Sequence, residues 1–400
     1  MYDDKRLGVG IDVGTNTVRA VVGATKLHEI PQIIGYGEAV NHGMRKGTII
    51  NIDQTANAID RALATAEKMA DTRIMNATVS ANGQHIFGQI SHGVVAVAGK
   101  EVGEDDILRV ERAASTLQLG ENREILDVTI RSFILGGQAS IKNPLGMLGA
   151  RLEADSYVIS GLVPHIRNLE KALLLTELPK TNLIPSGLAA AQVVLNQAQK
   201  ESGVAVIDIG GTTTNLVVYD EGELYHAAIL PVGGNNVTND LAIGLMTDID
   251  IAEQVKLNYA VATSSQRKTG GRIKITKNDQ DYTFETSLVD KIVEARMAEI
   301  FELVNVELSK IDRRAKLPAG VVLTGGGAQL AGIEASARET IRLNAKLGQY
   351  PNFGGKASEV AGPEWATALG LMMVDIKDDI AVNKPKPTKP KKFGFGKKAK

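Results

Sequence analysis

Asp12 is followed by Val13-Gly14-Thr15-Asn16-Thr17, and 196 residues later Asp208 is followed by Ile209-Gly210-Gly211-Thr212-Thr213. Each aspartate ends an apolar run, and each Gly/Thr turn leads into another, residues 18–22 and 216–219. Glycines at such a turn let backbone N–H groups approach an anion, while Thr and Asn side chains add donors. A carboxylate at that point suits a hydrated Mg²⁺, which keeps several waters and takes one or two carboxylates. One Asp-x-Gly-Thr would mark an ordinary turn. Two of them, each entering a strand, predict a duplicated phosphate clamp in which Asp12 and Asp208 orient Mg²⁺ through water.

A third element is Val321-Val322-Leu323-Thr324-Gly325-Gly326-Gly327-Ala328. An apolar strand running into three glycines lets a flat ring or ribose lie against bare backbone, so residues 325–328 are predicted to hold a nucleoside, with helix following over 331–340. Gly234 joins the same predicted set. In the helical segment 251–256, Glu253 and Lys256 lie three apart on one face. They either bracket ribose and base or form a solvent ion pair. The predicted ligands are therefore a nucleotide and Mg²⁺, and the family resemblance given below implies that the nucleotide is ATP.

Alternating strands and helices must position these residues, the signature of an α/β protein. Apolar residues at 52, 56, 59, 63, 66 and 70 predict a helix opened by Asp53, and those at 293, 297, 300, 304, 308 and 311 predict a second long one. Two regions differ in texture. Residues 83–161 hold short alternating strands (93–98, 125–133, 150–158) around a helix at 105–116. Residues 241–317 are helical at both ends, with a hairpin over 272–284 whose turn is Asn278-Asp279. Each interrupts one clamp-bearing half.

The chain has 400 residues, is 44% hydrophobic and lacks cysteine, which excludes disulfides and thiolate chemistry. Six histidines (28, 42, 85, 92, 165, 226) show no ligand spacing. No uninterrupted apolar run of about eighteen residues predicts a membrane span, and residues 1–6 are charged rather than a signal region. The net charge of −1 hides an asymmetry: residues 384–400 carry eight lysines and no acid, leaving −9 on the rest. Prolines and like charges predict an extended, solvated tail.

With phosphate 1, phosphate 2 and adenosine elements in place, the chain resembles the ASKHA superfamily of actin, DnaK-type chaperones and sugar kinases. Residues 185–191 and 363–371 match its connecting helices. Within it the chain most closely resembles the FtsA family, bacterial actin homologues that tether FtsZ to the membrane. That resemblance rests on Gly43-Met44-Arg45-Lys46-Gly47-Thr48, Ser91-His92-Gly93-Val94-Val95, Arg123-Glu124-Ile125-Leu126-Asp127-Val128 and Ile141-Lys142-Asn143-Pro144-Leu145-Gly146-Met147.

It implies an actin-like two-domain fold with duplicated ribonuclease-H-like cores, each with an insertion: 1A (1–82 and 162–200), 1C (83–161), 2A (201–240 and 318–376), 2B (241–317) and a flexible basic tail (377–400). It also implies self-assembly into actin-like filaments, a 2B site for the C-terminal peptide of FtsZ, no specific nucleic acid, and a place on the cytoplasmic face of the membrane at the septum. A PilM-like pilus-assembly adaptor shares the fold and is the alternative. A metabolite kinase would need a catalytic Asp in a substrate cleft, which the sequence does not offer.

Two departures from the family pattern matter. Hydrolytic bacterial actins have a Glu at the start of the first connecting helix, where this chain reads Ile184-Pro185-Ser186-Gly187. The second clamp has Thr212 and Asn215 where DnaK-like relatives have Gly and Asp. With no carboxylate to act as base, ATP binding with slow or absent hydrolysis is expected. At the end of the chain, Gly394 and Gly396 argue against the amphipathic helix usual in the family. Lys391, Lys392, Lys397 and Lys398 are instead expected to hold an anionic membrane surface, with Phe393 and Phe395 at the interface. A solubilising tail, or nonspecific nucleic-acid contact, is the other reading.

Overall fold

The two clamps end the central strands of two sheets built alike. A computed structural model describes residues 6–26, 29–116, 120, 122–176, 178, 180–267 and 270–382. The first sheet has the order Lys180–Pro185, Asn76–Ala81, Arg6–Val13, Thr17–Thr25, Gln32–Val40, Gly354–Gly355. The second has the order Glu223–Leu230, Thr214–Asp220, Val204–Ile209, Val321–Thr324, Ala345–Leu347. In each, the clamp strand pairs antiparallel with the next strand, setting Asp12 opposite Arg19 and Asp208 opposite Asn215. Each also pairs parallel with a later strand, Ile11 beside Val79 and Asp208 beside Thr324. Both aspartates thus lie at the carboxyl ends of central strands, where open α/β sheets receive ligands. Val204–Ile209 is buried throughout, as its continuous apolar reading requires.

Helix Ile52–Ala70 covers the first sheet. Its cap is Asn51, whose side chain accepts from Gln54 N, while Asp53 lies in the first turn, favourable to the helix dipole. Helices Ser186–Val194 and Ala366–Val382 cross between the halves so closely that a Cβ on Gly370 would collide with the carbonyl oxygen of Ala189. The later helix also lies directly on strand Arg6–Val13, because Gly8 and Gly10 offer no side chain; a Cβ there would strike the backbone of Met372 and Ala368. Asp375 fixes the contact by accepting from Val9 N and Thr78 Oγ1, each at 2.9 Å. This helix continues to Val382, past residue 377 where the domain division implied by the resemblance starts the tail. The membrane residues expected at 391–398 lie outside the described residues.

A separate antiparallel sheet has the order Ile86–Ala96, Arg151–Leu162, Arg123–Leu135, Gln138–Ile141, with strands longer than the alternation indicates. Helix Glu104–Ser115 closes its core around Val110, Phe133 and Leu152. This insertion reaches the second half through Tyr157, whose Oη accepts from Ala227 N (2.9 Å) and donates to Ala227 O (3.2 Å). One hydroxyl thereby satisfies an edge residue of the second sheet. Beside it, Arg131 and Arg313 flank the Tyr225 ring at 4.7 and 4.4 Å. In the other insertion, strands Arg272–Lys277 and Gln280–Glu285 turn at Asn278 and Asp279, with φ of 52° and 59° as a tight hairpin demands. Helix Thr286–Lys310 buries Val293, Met297, Ile300, Val304 and Leu308.

Because the two connecting helices meet backbone to backbone, Gly370→Ala is expected to lower unfolding stability by about 2 kcal/mol, an overpacking cost rather than a propensity gain. Urea denaturation checks this; a neutral or stabilising result would show that the helices part without cost.

Candidate functional site

Between the two sheets lies a cleft of about 600 Å³. The first clamp turns tightly because Gly14 has no side chain: a Cβ there would sit 2.6 Å from Thr17 O. Asn41 braces it, donating through Nδ2 to Gly14 O (2.9 Å) and through its backbone N to Asn16 O (2.9 Å). The second clamp is closed by Gly210 N donating to Thr213 O at 2.8 Å. It is tied to helix Gly234–Gly244, whose Gly234 N and Asn235 N donate to Gly210 O (2.9 Å) and Gly211 O (2.7 Å).

The clamps touch. Thr15 Oγ1 and Thr212 Oγ1 are 2.9 Å apart, and Asn16 and Asn235 exchange two amide hydrogen bonds of 2.7 and 2.9 Å. Asn82 Nδ2 donates to Thr213 Oγ1 at 3.1 Å. The side chains expected to grip phosphate thus satisfy one another, and each can exchange its partner for an anion's oxygen.

Asp12 is partly buried and accepts from Ser80 Oγ at 2.8 Å. Burial raises its pKa, opposed by that hydrogen bond and by the charge of Arg19. Asp208 is 7% exposed and accepts from Asn215 Nδ2 at 3.0 Å. Burial pushes its pKa up to about 7, with the charge of Asp12 adding and the Asn215 bond opposing. Two acids facing one cleft, each made harder to ionise, are what a cation would relieve.

On the far wall, Gly325 has φ +83° and donates to Pro363 O at 3.0 Å, while a Cβ on Gly326 would meet only Glu364, at 3.9 Å. Only Gly326 is open backbone: a Cβ on Gly325 would collide with Asp208 and Ile209, and one on Gly327 with Ile209, so those two glycines serve close packing on strand Val204–Ile209, and a single 3₁₀ turn (Gly326–Gln329) precedes helix Ile333–Ile341. Glu253 and Lys256 do form an ion pair, at 2.7 Å, and both bind the Thr238 hydroxyl, yet they line the cleft rather than open solvent. The ion pair thus forms, but in the cleft wall.

Asp12, Gly14, Thr15, Asn16, Thr17, Asp208, Gly210, Gly211, Thr213, Gly234, Glu253, Lys256 and Gly325–Gly327 all line the cleft. Two predicted residues do not. Ala328 is 1% exposed and packs in the core of the second half, and Thr212 turns to Thr15. Residues that the motifs leave out also reach the wall: Arg19, Asn82, Asn235, Met297, Gln329 and Thr367. Arg19 was legible as the partner opposite Asp12 in a tight hairpin; Asn82 and Thr367 arrive through long-range packing that no local pattern records.

A family model described as cell division protein FtsA matches residues 205–370, and one described as the SHS2 domain inserted in FtsA matches residues 83–160. The chain is 35% identical over 371 residues to cell division protein FtsA of Pseudomonas aeruginosa, covering 92% of this chain and 89% of that protein. The chain belongs to the FtsA family. FtsA of Bacillus subtilis is 34% identical over 374 residues (92% and 83% covered), and that of Escherichia coli K12 30% over 378 (92% and 90%). Among solved structures, the PilM–PilN type IV pilus biogenesis complex matches with a TM-score of 0.67 at 16% identity, covering 92% of this chain and 98% of that one. MreB5 of Spiroplasma citri bound to ADP matches with 0.59 at 12% identity, covering 95% and 99%. At these identities the likeness is one of fold, which is actin-like. This FtsA-family chain is thus a cell-division protein by family, and among its described residues no helix is long and apolar enough to cross a membrane.

Asp208 also links this FtsA-family site to stability. An aspartate near 3.8 when unfolded and about 7 when folded contributes stability that is fully present below about pH 4 and is lost as the pH rises through 7. The metal-free chain should therefore weaken between pH 4 and 8, and Asp208→Asn should flatten that slope, a difference on the order of 1–3 kcal/mol at pH 8. Denaturation at several pH values checks it; parallel slopes would show Asp208 ionised without cost.

Proposed function

We propose that this chain binds Mg-ATP in the cleft and acts as an actin-like adaptor that polymerises and tethers FtsZ filaments to the cytoplasmic face of the membrane at the septum, with slow or absent ATP hydrolysis. The observation that carries the reading is the meeting of two Asp-Gly-Thr clamps across a cleft of about 600 Å³, within the range of small-molecule sites. In this reading the base lies on Gly325–Gly327 beside Glu253 and Lys256, and the phosphates run between residues 14–17 and 210–213. Asp12 and Asp208 hold the hydrated Mg²⁺, which neutralises phosphate charge when bound. MreB5 neighbours bound to ADP and to AMPPNP support a nucleotide in this fold.

Slow turnover rests on Ser186, which begins the connecting helix where a water-orienting carboxylate would stand. Division into 1A, 1C, 2A and 2B at the boundaries given above is part of the proposal. So is a docking place for the FtsZ C-terminal peptide on 2B, where Ile243, Met246 and Leu257 are 77%, 92% and 70% exposed. The much closer sequence relatives favour this reading over a pilus adaptor, which shares the fold.

Calorimetry with Mg-ATP is expected to show binding that Asp208→Ala weakens at least about tenfold. Wild-type chain that ignores ATP in the presence of Mg²⁺ would sink the nucleotide reading. For the tail, eight lysines act over about 8 Å at physiological ionic strength. Co-sedimentation should require anionic liposomes, fall at high salt and vanish on truncation after Asn383; binding that survives the truncation would place the anchor elsewhere.

A further inference from the structure

The insertion over residues 83–161 belongs to the first half by chain, yet it also holds the second half. Its own core, around Val110, Phe133 and Leu152, is separate from the cores of the two sheets. It reaches Glu223–Leu230, the outermost strand of the second sheet, through the ends of side chains. Tyr157 Oη takes both main-chain groups of Ala227, accepting from N at 2.9 Å and donating to O at 3.2 Å. Lys142 Nζ donates to Glu221 O and lies 3.7 Å from Glu223 Oε1, at the turn into that strand. Arg131 lies over the Tyr225 ring, 4.7 Å from its centre, and its buried Nε makes no hydrogen bond, whereas Arg313, 4.4 Å from the same ring, is fixed by Asp220 at 2.9 Å. The surfaces do not interlock: a crevice of about 20 Å³ stays open between Ile86, Gly88 and Ile159 of the insertion and residues 227–229 of the strand.

The other junction between the halves is of the opposite kind. At the helix crossing Gly370 meets the backbone of Ala189, with no side chain that could bend away. A junction of bare backbone fixes a point, and the halves turn about it only if the contact elsewhere slips. Side-chain tips slip readily, because contacts within a chain that rest on a few polar groups open far below the cost of global unfolding. The clamps span the same two halves, through Thr15–Thr212 and Asn16–Asn235, so their separation follows any such turn. We propose that the insertion is a releasable strap. Docked on Ala227 and Tyr225, it keeps the clamps in contact; undocked, it lets the halves turn about the helix crossing and the cleft open. The strap acts on the geometry of the cleft and is independent of what the cleft binds.

The chain has no cysteine, so spin labels can be placed on the full chain at exposed positions, Ile50→Cys in the first half and Lys346→Cys in the second. Pulsed EPR without nucleotide is expected to read one distance between the labels, and a second, distinct distance when Tyr157→Phe and Arg131→Ala are added. Hydrogen exchange supplies the local readout: Tyr157→Phe keeps the ring and removes both bonds, so the Ala227 amide should exchange at least about tenfold faster. Should loss of Arg131 prevent folding, Tyr157→Phe with Lys142→Ala, which changes an exposed lysine instead, is expected to give the same second distance. A single unchanged distance in a folded double variant whose Ala227 exchanges faster overturns the strap, because the contact is then broken and the halves have not moved. Unchanged Ala227 exchange in Tyr157→Phe also overturns it, since the hydroxyl then holds nothing.

Discussion

The crossing of Gly370 over Ala189 is the constraint on which the other contacts depend. No side chain separates the two helices there, so the halves of the molecule are set at a distance fixed by backbone. That distance brings the clamps within hydrogen-bond reach and sets the floor of the cleft at Ser186. The same device recurs where the later helix meets strand Arg6–Val13: Gly8 and Gly10 give up side-chain packing for close approach. Interiors this tightly packed transmit displacement instead of absorbing it. A change in separation at the clamps must therefore be taken up at the crossing or at the Tyr157–Ala227 contact on the other side.

Against that rigid frame the cleft is electrostatically unsettled. Each aspartate receives one hydrogen bond from its own sheet, Ser80 for Asp12 and Asn215 for Asp208, and both still resist ionisation. The two halves differ in how they compensate. Asp12 faces the positive Arg19, whose charge opposes the rise, while Asp208 faces the neutral Asn215, which opposes it only through a hydrogen bond. A duplicated architecture has thereby become chemically unequal at one cross-strand position.

Much of this was legible in sequence wherever chemistry and geometry are local. The clamps declare themselves because a tight turn after a buried Asp needs glycine, and the 278–279 hairpin because Asn and Asp tolerate positive φ. The triple glycine announced bare backbone, which holds at Gly326 alone: Gly325 and Gly327 pack against Asp208 and Ile209, and Ala328 turns inward to the core. The contact that Thr212 makes could not be read locally either, since its partner Thr15 lies on the other clamp. Ser80 and Asn82 carry no local signal. Their places follow from parallel pairing of Asn76–Ala81 with Arg6–Val13, a contact across more than sixty residues. Asp53 does stand in the first turn of its helix, while the cap is Asn51, whose side chain accepts from Gln54 N.

Asp375 gives the last helix a mechanical meaning. Its carboxylate grips Val9 N and Thr78 Oγ1, on the two adjacent strands that lead to Asp12 and Asn82. A pull on the chain beyond Val382 is therefore not borne by a surface helix that peels away. It enters the centre of the first sheet and loads those strands along their length.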